Sequence, residues 1–199
     1  MQNSYEGQFH ANGQRDGHGI ATFANGSRYE GEWKADEYHG KGRYVAANGD
    51  GYEGEFKGGV MHGKGSFWFV NGDEYEGEYK NGTMDGHGRF TEAASGDRYE
   101  GEWKVGVREG RGIKTFSEGE FMVGRFSGDV SVGEAAVWSA DRTQAWLMLD
   151  GNLEGVKEIT LEEADATAKH GPLVRVYIAQ RDFLESERAA GRQVRFSNQ

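Results

Sequence analysis

The sequence predicts a mainly β protein: an elongated, single-layer, twisted antiparallel meander of hairpins with a short C-terminal helical cap. Three observations carry that prediction. A unit of the form Tyr-Glu-Gly-Glu-Trp recurs, starting at Tyr5, Tyr29, Tyr52, Tyr75 and Tyr99, and a worn copy starts at Met122. Such a fixed short period marks a stacked array whose units cannot bury their apolar faces alone. Each copy alternates strictly in polarity, the pattern of a strand with two unlike faces. Every connection between alternating runs is short, so consecutive strands must be antiparallel neighbours.

Composition agrees. The chain has 199 residues, 36% of them hydrophobic and 13% aromatic, and 33 glycines. So little apolar mass approaches a disordered chain, but the aromatic content argues for order. A thin structure without a thick core reconciles the two. Net charge is -10, which makes nucleic acid a poor partner and disfavours an anionic membrane. Without cysteine there is no disulfide framework and no thiolate nucleophile or metal site, which suits a cytoplasmic setting. No N-terminal run reads as a signal peptide, and no stretch is long and apolar enough to span a bilayer.

The second repeat shows how the elements follow. Tyr29, Gly31 and Trp33 point to one face of a first strand, and Glu30, Glu32 and Lys34 to the other. A second strand runs from His39 to Tyr44. In later copies the intervening turn carries Gly59-Val60, Gly82-Thr83 and Gly106-Val107. Gly in first place predicts a type II′ turn. That register sets Trp33 opposite Gly40, Phe56 opposite Gly63, Tyr79 opposite Gly86 and Trp103 opposite Gly110. It also sets Gly31 opposite Gly42 and Glu32 opposite Lys41. The link to the next repeat, at Asn25-Gly26, Asn48-Gly49 or Asn71-Gly72, predicts a three-residue loop with a bulge. Phe23 and Phe69 then share a face with Tyr29 and Tyr75. Six such hairpins, at about 4.8 Å per strand, extend on the order of 55 Å.

The pattern fades at the sixth copy, where Met122 replaces Tyr and Ala135 replaces a Gly. The array is therefore placed at 1–132 and a C-terminal unit at 133–199. A last hairpin pairs residues 135–138 with 145–149 around Asp141-Arg142. Thr160-Leu161-Glu162-Glu163 is a capping box, with Ile159 and Ala164 as a hydrophobic staple. That helix runs to about His170 and stops at Gly171-Pro172. A second helix over 174–190 carries an apolar stripe of Val174, Tyr177, Ile178 and Leu184. Two readings of it stay open. It caps the array, or it folds back and blocks the aromatic face.

The string Tyr-Glu-Gly-Glu-Trp…Gly-Lys-Gly…Asn-Gly resembles the MORN repeat (membrane occupation and recognition nexus), over about residues 5–126. The resemblance implies hairpins of MORN type and a non-catalytic scaffold or adaptor at the cytoskeleton, a cilium or a membrane. It also implies a partner helix lying along a groove of the sheet.

Candidate contacts for such a helix are the rings that share one face: Tyr29, Trp33, Tyr52 and Phe56, then Phe67, Phe69, Tyr75 and Tyr79, then Phe90, Tyr99 and Trp103. With one layer only, this face stays open unless a helix covers it. The other face carries charge ladders. Glu30, Glu53, Glu76 and Glu100 repeat in phase, as do Glu32, Glu55, Glu78 and Glu102. These read as cross-strand ion pairs with the basic rows. The alternative function is a peripheral membrane or phosphoinositide binder using Lys34, Lys57, Lys80 and Lys104, or Arg188 and Arg192. The glutamate rows oppose that use. His39 and His62 lie two strands apart, about 9.6 Å, too far to share a zinc ion with bonds of roughly 2.1 Å. No metal, cofactor or catalytic residue is assigned. Gly63-Lys64-Gly65 lacks the spacing of a phosphate loop. Finally, residues 5–10 form an uncapped edge strand, which invites self-association as a dimer.

Overall fold

The computed structural model describes residues 2–168. They form one antiparallel sheet of 14 strands in strict sequence order, followed by one helix. The repeats supply β1 (Ser4–Phe9), β2 (Arg15–Thr22), β3 (Arg28–Lys34), β4 (Glu37–Val45), β5 (Gly51–Lys57), β6 (Val60–Trp68), β7 (Glu74–Lys80) and β8 (Thr83–Thr91). They continue with β9 (Arg98–Lys104), β10 (Val107–Thr115), β11 (Phe121–Ser127) and β12 (Val130–Trp138). The sheet closes with β13 (Ala145–Leu149) and β14 (Asn152–Ile159), and the helix is α1 (Leu161–Ala168).

From the second hairpin to the fifth, the turn inside the hairpin lies one residue earlier than expected. Lys57 pairs with Val60, leaving Gly58 and Gly59 between them at φ 60° and 78°. Asn81-Gly82 and Val105-Gly106 are equivalent, again with both φ positive. Two positive φ angles define a type I′ turn, whose twist matches that of the strands. The expected type II′ turn is thereby corrected. Trp33 pairs with Tyr38 and not with Gly40, Phe56 with Met61, Tyr79 with Met84, and Trp103 with Arg108.

Gly31 still faces Gly42, because a bulge makes up the difference. On β4 the partner of Glu32 is His39, so Gly40 and Lys41 are extra to that ladder. Gly40 supplies the kink at φ 53°, a conformation costly for a residue with a Cβ. The pairing of ring with glycine exists too, but across the other strand boundary. Gly17 faces Trp33, Gly40 faces Phe56, Gly63 faces Tyr79 and Gly86 faces Trp103. Each glycine has a ring on both sides in the sequence pattern; the bulge removes it from the ring of its own hairpin, and the inter-repeat loop sets it against the ring of the next.

The links at Asn25-Gly26, Asn48-Gly49 and Asn71-Gly72 are three-residue loops, as expected, while that between β8 and β9 has four residues, closed by the Glu92 N–H on the Asp97 carbonyl at 2.9 Å. The Phe23 N–H bonds the Ser27 carbonyl at 2.9 Å, and Gly26 takes φ 93°. Successive loops are tied by a recurring aspartate. The Asp50 carboxylate accepts from the Val70 N–H at 2.7 Å, and Asp73 accepts from Ala93 at 2.8 Å.

At the C-terminal end the sheet continues without a break through the fading repeat. Residues 152–159, not expected as a strand, pair with β13 across the turn at Asp150-Gly151. The capping box forms. The Glu163 carboxylate accepts from the Thr160 N–H at 2.8 Å, and the Glu163 N–H donates to the Thr160 hydroxyl at 3.2 Å. Buried Ala164 and Ala168 of α1 pack in a cluster with Ile113, Phe121, Ala136, Trp138 and Ala145. The predicted helix over 174–190, with Arg188 and Arg192, lies outside the described residues.

Val105 occupies the first turn position at φ 50° and is 68% exposed. A β-branched residue is strained there, while Asn81 fills the equivalent place of the previous repeat at φ 50°. Val105→Asn is expected to stabilise the fold by about 1 kcal/mol, read as a higher denaturation midpoint. An unchanged or lower midpoint would contradict the assigned turn.

Candidate functional site

The two faces of the sheet are built from different halves of the repeat. On the aromatic face each motif tyrosine lies flat on its own sheet. A Cβ added at Gly42 would collide with the Tyr29 ring, and one at Gly65 with the Tyr52 ring. The ring lies flat because these positions have no side chain. Its hydroxyl then reaches carbonyls beside the bulge. Tyr29 donates to the Glu32 carbonyl at 2.8 Å, Tyr52 to Glu55 at 3.0 Å and Tyr99 to Glu102 at 3.1 Å. The Trp33 indole N–H donates to the Gly19 carbonyl, and that of Trp103 to Gly88, both at 3.1 Å.

Neighbouring rings meet edge to face in an unbroken chain. Phe9 touches Tyr5, Tyr5 touches Trp33, Trp33 touches Tyr29 and Tyr29 touches Phe56. From Phe56 the chain passes through Tyr52, Tyr79, Tyr75, Trp103 and Tyr99 to Phe126. Centroids stand 5.0–5.4 Å apart, a favourable aromatic geometry. The chain stops at Phe126, beside Met122 where a tyrosine would continue it.

This packing corrects the expectation that the ring face stays open without a covering helix. Tyr29, Trp33, Tyr52, Phe56, Tyr75, Tyr79, Tyr99 and Trp103 are all buried by the sheet itself, none more than 8% exposed. The second residue after the turn in each of the second to fifth hairpins completes the cover. Tyr38 stacks on Tyr29 at 3.8 Å, Met61 and Met84 pack on the buried rings, and Arg108 stands 5.6 Å over Tyr99. Sequence reading missed these covering residues, because the misplaced turn aligned each ring with a glycine instead. Their signal was their fixed place two residues before Gly40, Gly63, Gly86 and Gly110. Of the expected contacts, Phe67, Phe69 and Phe90 remain half-exposed. A cavity of about 470 Å³ opens among Met84, Phe90 and Trp103. At its rim Arg108 pairs with Asp129 at 3.0 Å and Lys114 with Asp97 at 2.9 Å.

A second groove runs along the opposite face. It encloses about 1070 Å³ from His18 to Gly101, with glycines such as Gly54, Gly65 and Gly77 along it. The glutamate rows divide into two roles there. The second glutamate of each motif caps the bulge rather than pairing with lysine. Glu32 accepts from the Lys41 N–H at 2.9 Å, Glu55 from Lys64 at 3.1 Å, Glu78 from His87 at 2.8 Å and Glu102 from Arg111 at 2.9 Å. Gln8 does the same for His18 at 2.8 Å. The first glutamates supply ion pairs, Glu76 with Arg89 at 2.6 Å and Glu53 with Arg43 at 3.8 Å. Lys34, Lys57, Lys80 and Lys104 are exposed at the turn ends of their strands. Among the described residues no cluster of His, Asp and Glu could hold a metal, and no helix is long and apolar enough to cross a membrane.

Two tests follow from the ring face. The Tyr79 hydroxyl is buried without a hydrogen-bond partner among the described residues. Tyr79→Phe is therefore expected to hold or raise stability by up to about 1 kcal/mol; a clear loss on denaturant titration would show that the hydroxyl is bonded. Burial also pushes the phenols up from 10.0, to about 12 for Tyr38, helped by Tyr44, and to about 12 for Tyr52, helped by Glu55. A folded value above the unfolded one keeps its full stabilisation below pH 10 and loses it between about pH 10 and 12. The melting temperature should fall across that window, and less steeply in Tyr52→Phe. A flat profile with early phenolate absorbance would contradict the burial.

The MORN repeat profile matches residues 5–28, 29–51, 52–74, 75–91 and 99–121. No curated protein sequence matches significantly. Solved structures similar to the chain include the TCP domain of SAS-4 (dCPAP) of Drosophila melanogaster, in complex with a proline-rich motif of Ana2 (dSTIL). It is 14% identical, with 78% of this chain and 89% of that one covered and a TM-score of 0.46. The TCP10 domain of Danio rerio CPAP, in complex with a peptide of Danio rerio STIL, is 15% identical, with 79% and 75% covered and a TM-score of 0.40.

Proposed function

The chain belongs to the MORN repeat family, and on that premise we propose that it is a non-catalytic scaffold or adaptor that binds a partner helix along its aromatic face. The observation that supports this is a strip of half-buried apolar side chains above the ring ladder: Tyr38, Tyr44, Met61, Phe67, Met84 and Phe90. The strip repeats every two strands, about 9.6 Å. Seven residues of α-helix rise about 10.5 Å. A helix crossing the strands thus meets a new hairpin every two turns, and a heptad-like apolar stripe would cover the strip. Phe67, Phe69 and Phe90 are contacts in this reading. The buried rings, from Tyr29 to Trp103, hold those contacts in place. The cavity beside Phe90 seats one large side chain, with the Arg108–Asp129 and Lys114–Asp97 pairs as its polar rim. The reading is non-catalytic because the polar side chains repeat with the sheet instead of converging on one point.

The alternative, a peripheral membrane or phosphoinositide surface, draws on Lys34, Lys57, Lys80 and Lys104, which form no ion pair among the described residues. It is disfavoured because the ladder Glu30, Glu53, Glu76 and Glu100 occupies the same face.

A photo-crosslinking residue at Phe67 or Phe90 should capture one helical partner from a native extract, while the same residue at Lys64 should not. Phe67→Ser/Phe90→Ser should keep the circular dichroism of the sheet and lose that capture. Crosslinking from position 64 alone, or capture unchanged by the double substitution, would overturn the reading. Flotation with anionic liposomes, weakened by Lys57→Glu/Lys80→Glu, would establish the membrane alternative in its place.

A further inference from the structure

β1 is one of the two end strands of the sheet, so its outer backbone groups have no strand partner among the described residues. Such an edge is a template for another strand. The sheet also carries a rule for how strands register. Gly7 faces Gly19, Gly19 faces Gly31, Gly31 faces Gly42 and Gly42 faces Gly54. The row continues through Gly65, Gly77, Gly88, Gly101 and Gly112 to Gly124. Gly7 brings this row to the open edge.

We propose that a second copy of this chain pairs with β1, antiparallel, about a two-fold axis at Gly7. Gly7 then faces its own symmetry mate and extends the glycine row across the axis. Tyr5 faces the mate of Phe9, and Phe9 the mate of Tyr5. Glu6 faces the mate of Gln8. The two ring ladders become one.

Three observations select this occupant and this register. Phe9 is 60% exposed, whereas the residues at its place in later repeats, Trp33, Phe56, Tyr79, Trp103 and Phe126, are 3–8% exposed. The mate of Tyr5 would cover it and repeat the Tyr5–Phe9 contact, which stands at 5.0 Å within one strand. Next, β1 reads Ser-Tyr-Glu-Gly-Gln-Phe, with none of the lysines or prolines that block an edge. Lastly, competing registers fit worse. Centring on Glu6 sets that carboxylate against itself, which is destabilising. Centring on Gln8 pairs only residues 7 to 9, because β1 ends at Phe9. Since the sheet edge is used and not the aromatic strip, this proposal stands apart from the partner-helix reading.

Gln8→Glu tests it cleanly. Gln8 holds the His18 amide as Glu32, Glu55, Glu78 and Glu102 hold theirs, so a glutamate at position 8 suits the fold. Across the axis it would oppose Glu6 twice. Sedimentation of the full chain should show a concentration-dependent shift from 22.0 kDa to twice that mass. Gln8→Glu should weaken dimerisation roughly tenfold. Adding Glu6→Lys should restore it, because each lysine then faces a glutamate. A mass fixed at the monomer value at all concentrations would overturn the proposal. So would a dimer insensitive to both substitutions, which would place self-association on another surface.

Discussion

Everything in this sheet depends on a tyrosine ring lying flat over a pair of glycines. A single layer of strands has no second layer to bury its apolar residues. Tyr29 escapes that limit by folding onto its own sheet, over Gly31 and Gly42. A methyl group at either position would lift the ring. The same posture sends the phenol to the carbonyls of Glu32 and His39, where the bulge interrupts the ladder. Ring, glycine pair and bulge are thus one device, repeated in the five hairpins that begin at Tyr5, Tyr29, Tyr52, Tyr75 and Tyr99. Edge-to-face contacts then link one device to the next, the nearest-neighbour coupling that holds a repeat array together.

The bulge also divides the labour of the two faces. It turns the strand so that Tyr38, Met61 or Met84 lies over the rings. It also exposes an amide on the far side, which Glu32, Glu55 or Glu78 takes up. Half of the glutamates therefore serve the backbone, and the ion pairs fall to the other half. Toward the C-terminus both faces change character. Met122 ends the ring ladder, while Ile113, Val123 and Ala136 bring apolar residues to the formerly charged face, where α1 packs.

Strand order, the loops at Asn25-Gly26, Asn48-Gly49 and Asn71-Gly72 and the aromatic side of the sheet were legible from the repeat, and the helix cap from the capping box at Thr160 and Glu163. The turn was not. Gly59-Val60 and Gly58-Gly59 are both acceptable turn centres, and the difference of one residue moves every ring to a new partner. The candidate site was legible in kind, since the aromatic face was found, but not in accessibility. Alternation tells which face a side chain takes. It does not tell whether a ring stands up toward solvent or lies down on glycine. β14 went unseen because 152–159 lacks the repeat motif and pairs only because β13 offers it an edge.

The sequence by itself determined a meander of hairpins with rings on one side and charges on the other, because the fixed period and strict alternation give two-faced strands and the short connections make them antiparallel neighbours. Only the tertiary structure decided that most of those rings are core and not surface. Burial depends on how the sheet twists and where it bulges, and these arise from the pairing of neighbouring strands and the packing of one repeat on the next. The same contacts left a half-exposed strip above the ladder and a groove on the charged face, and the meander leaves β1, with Gly7, as an end strand among the described residues.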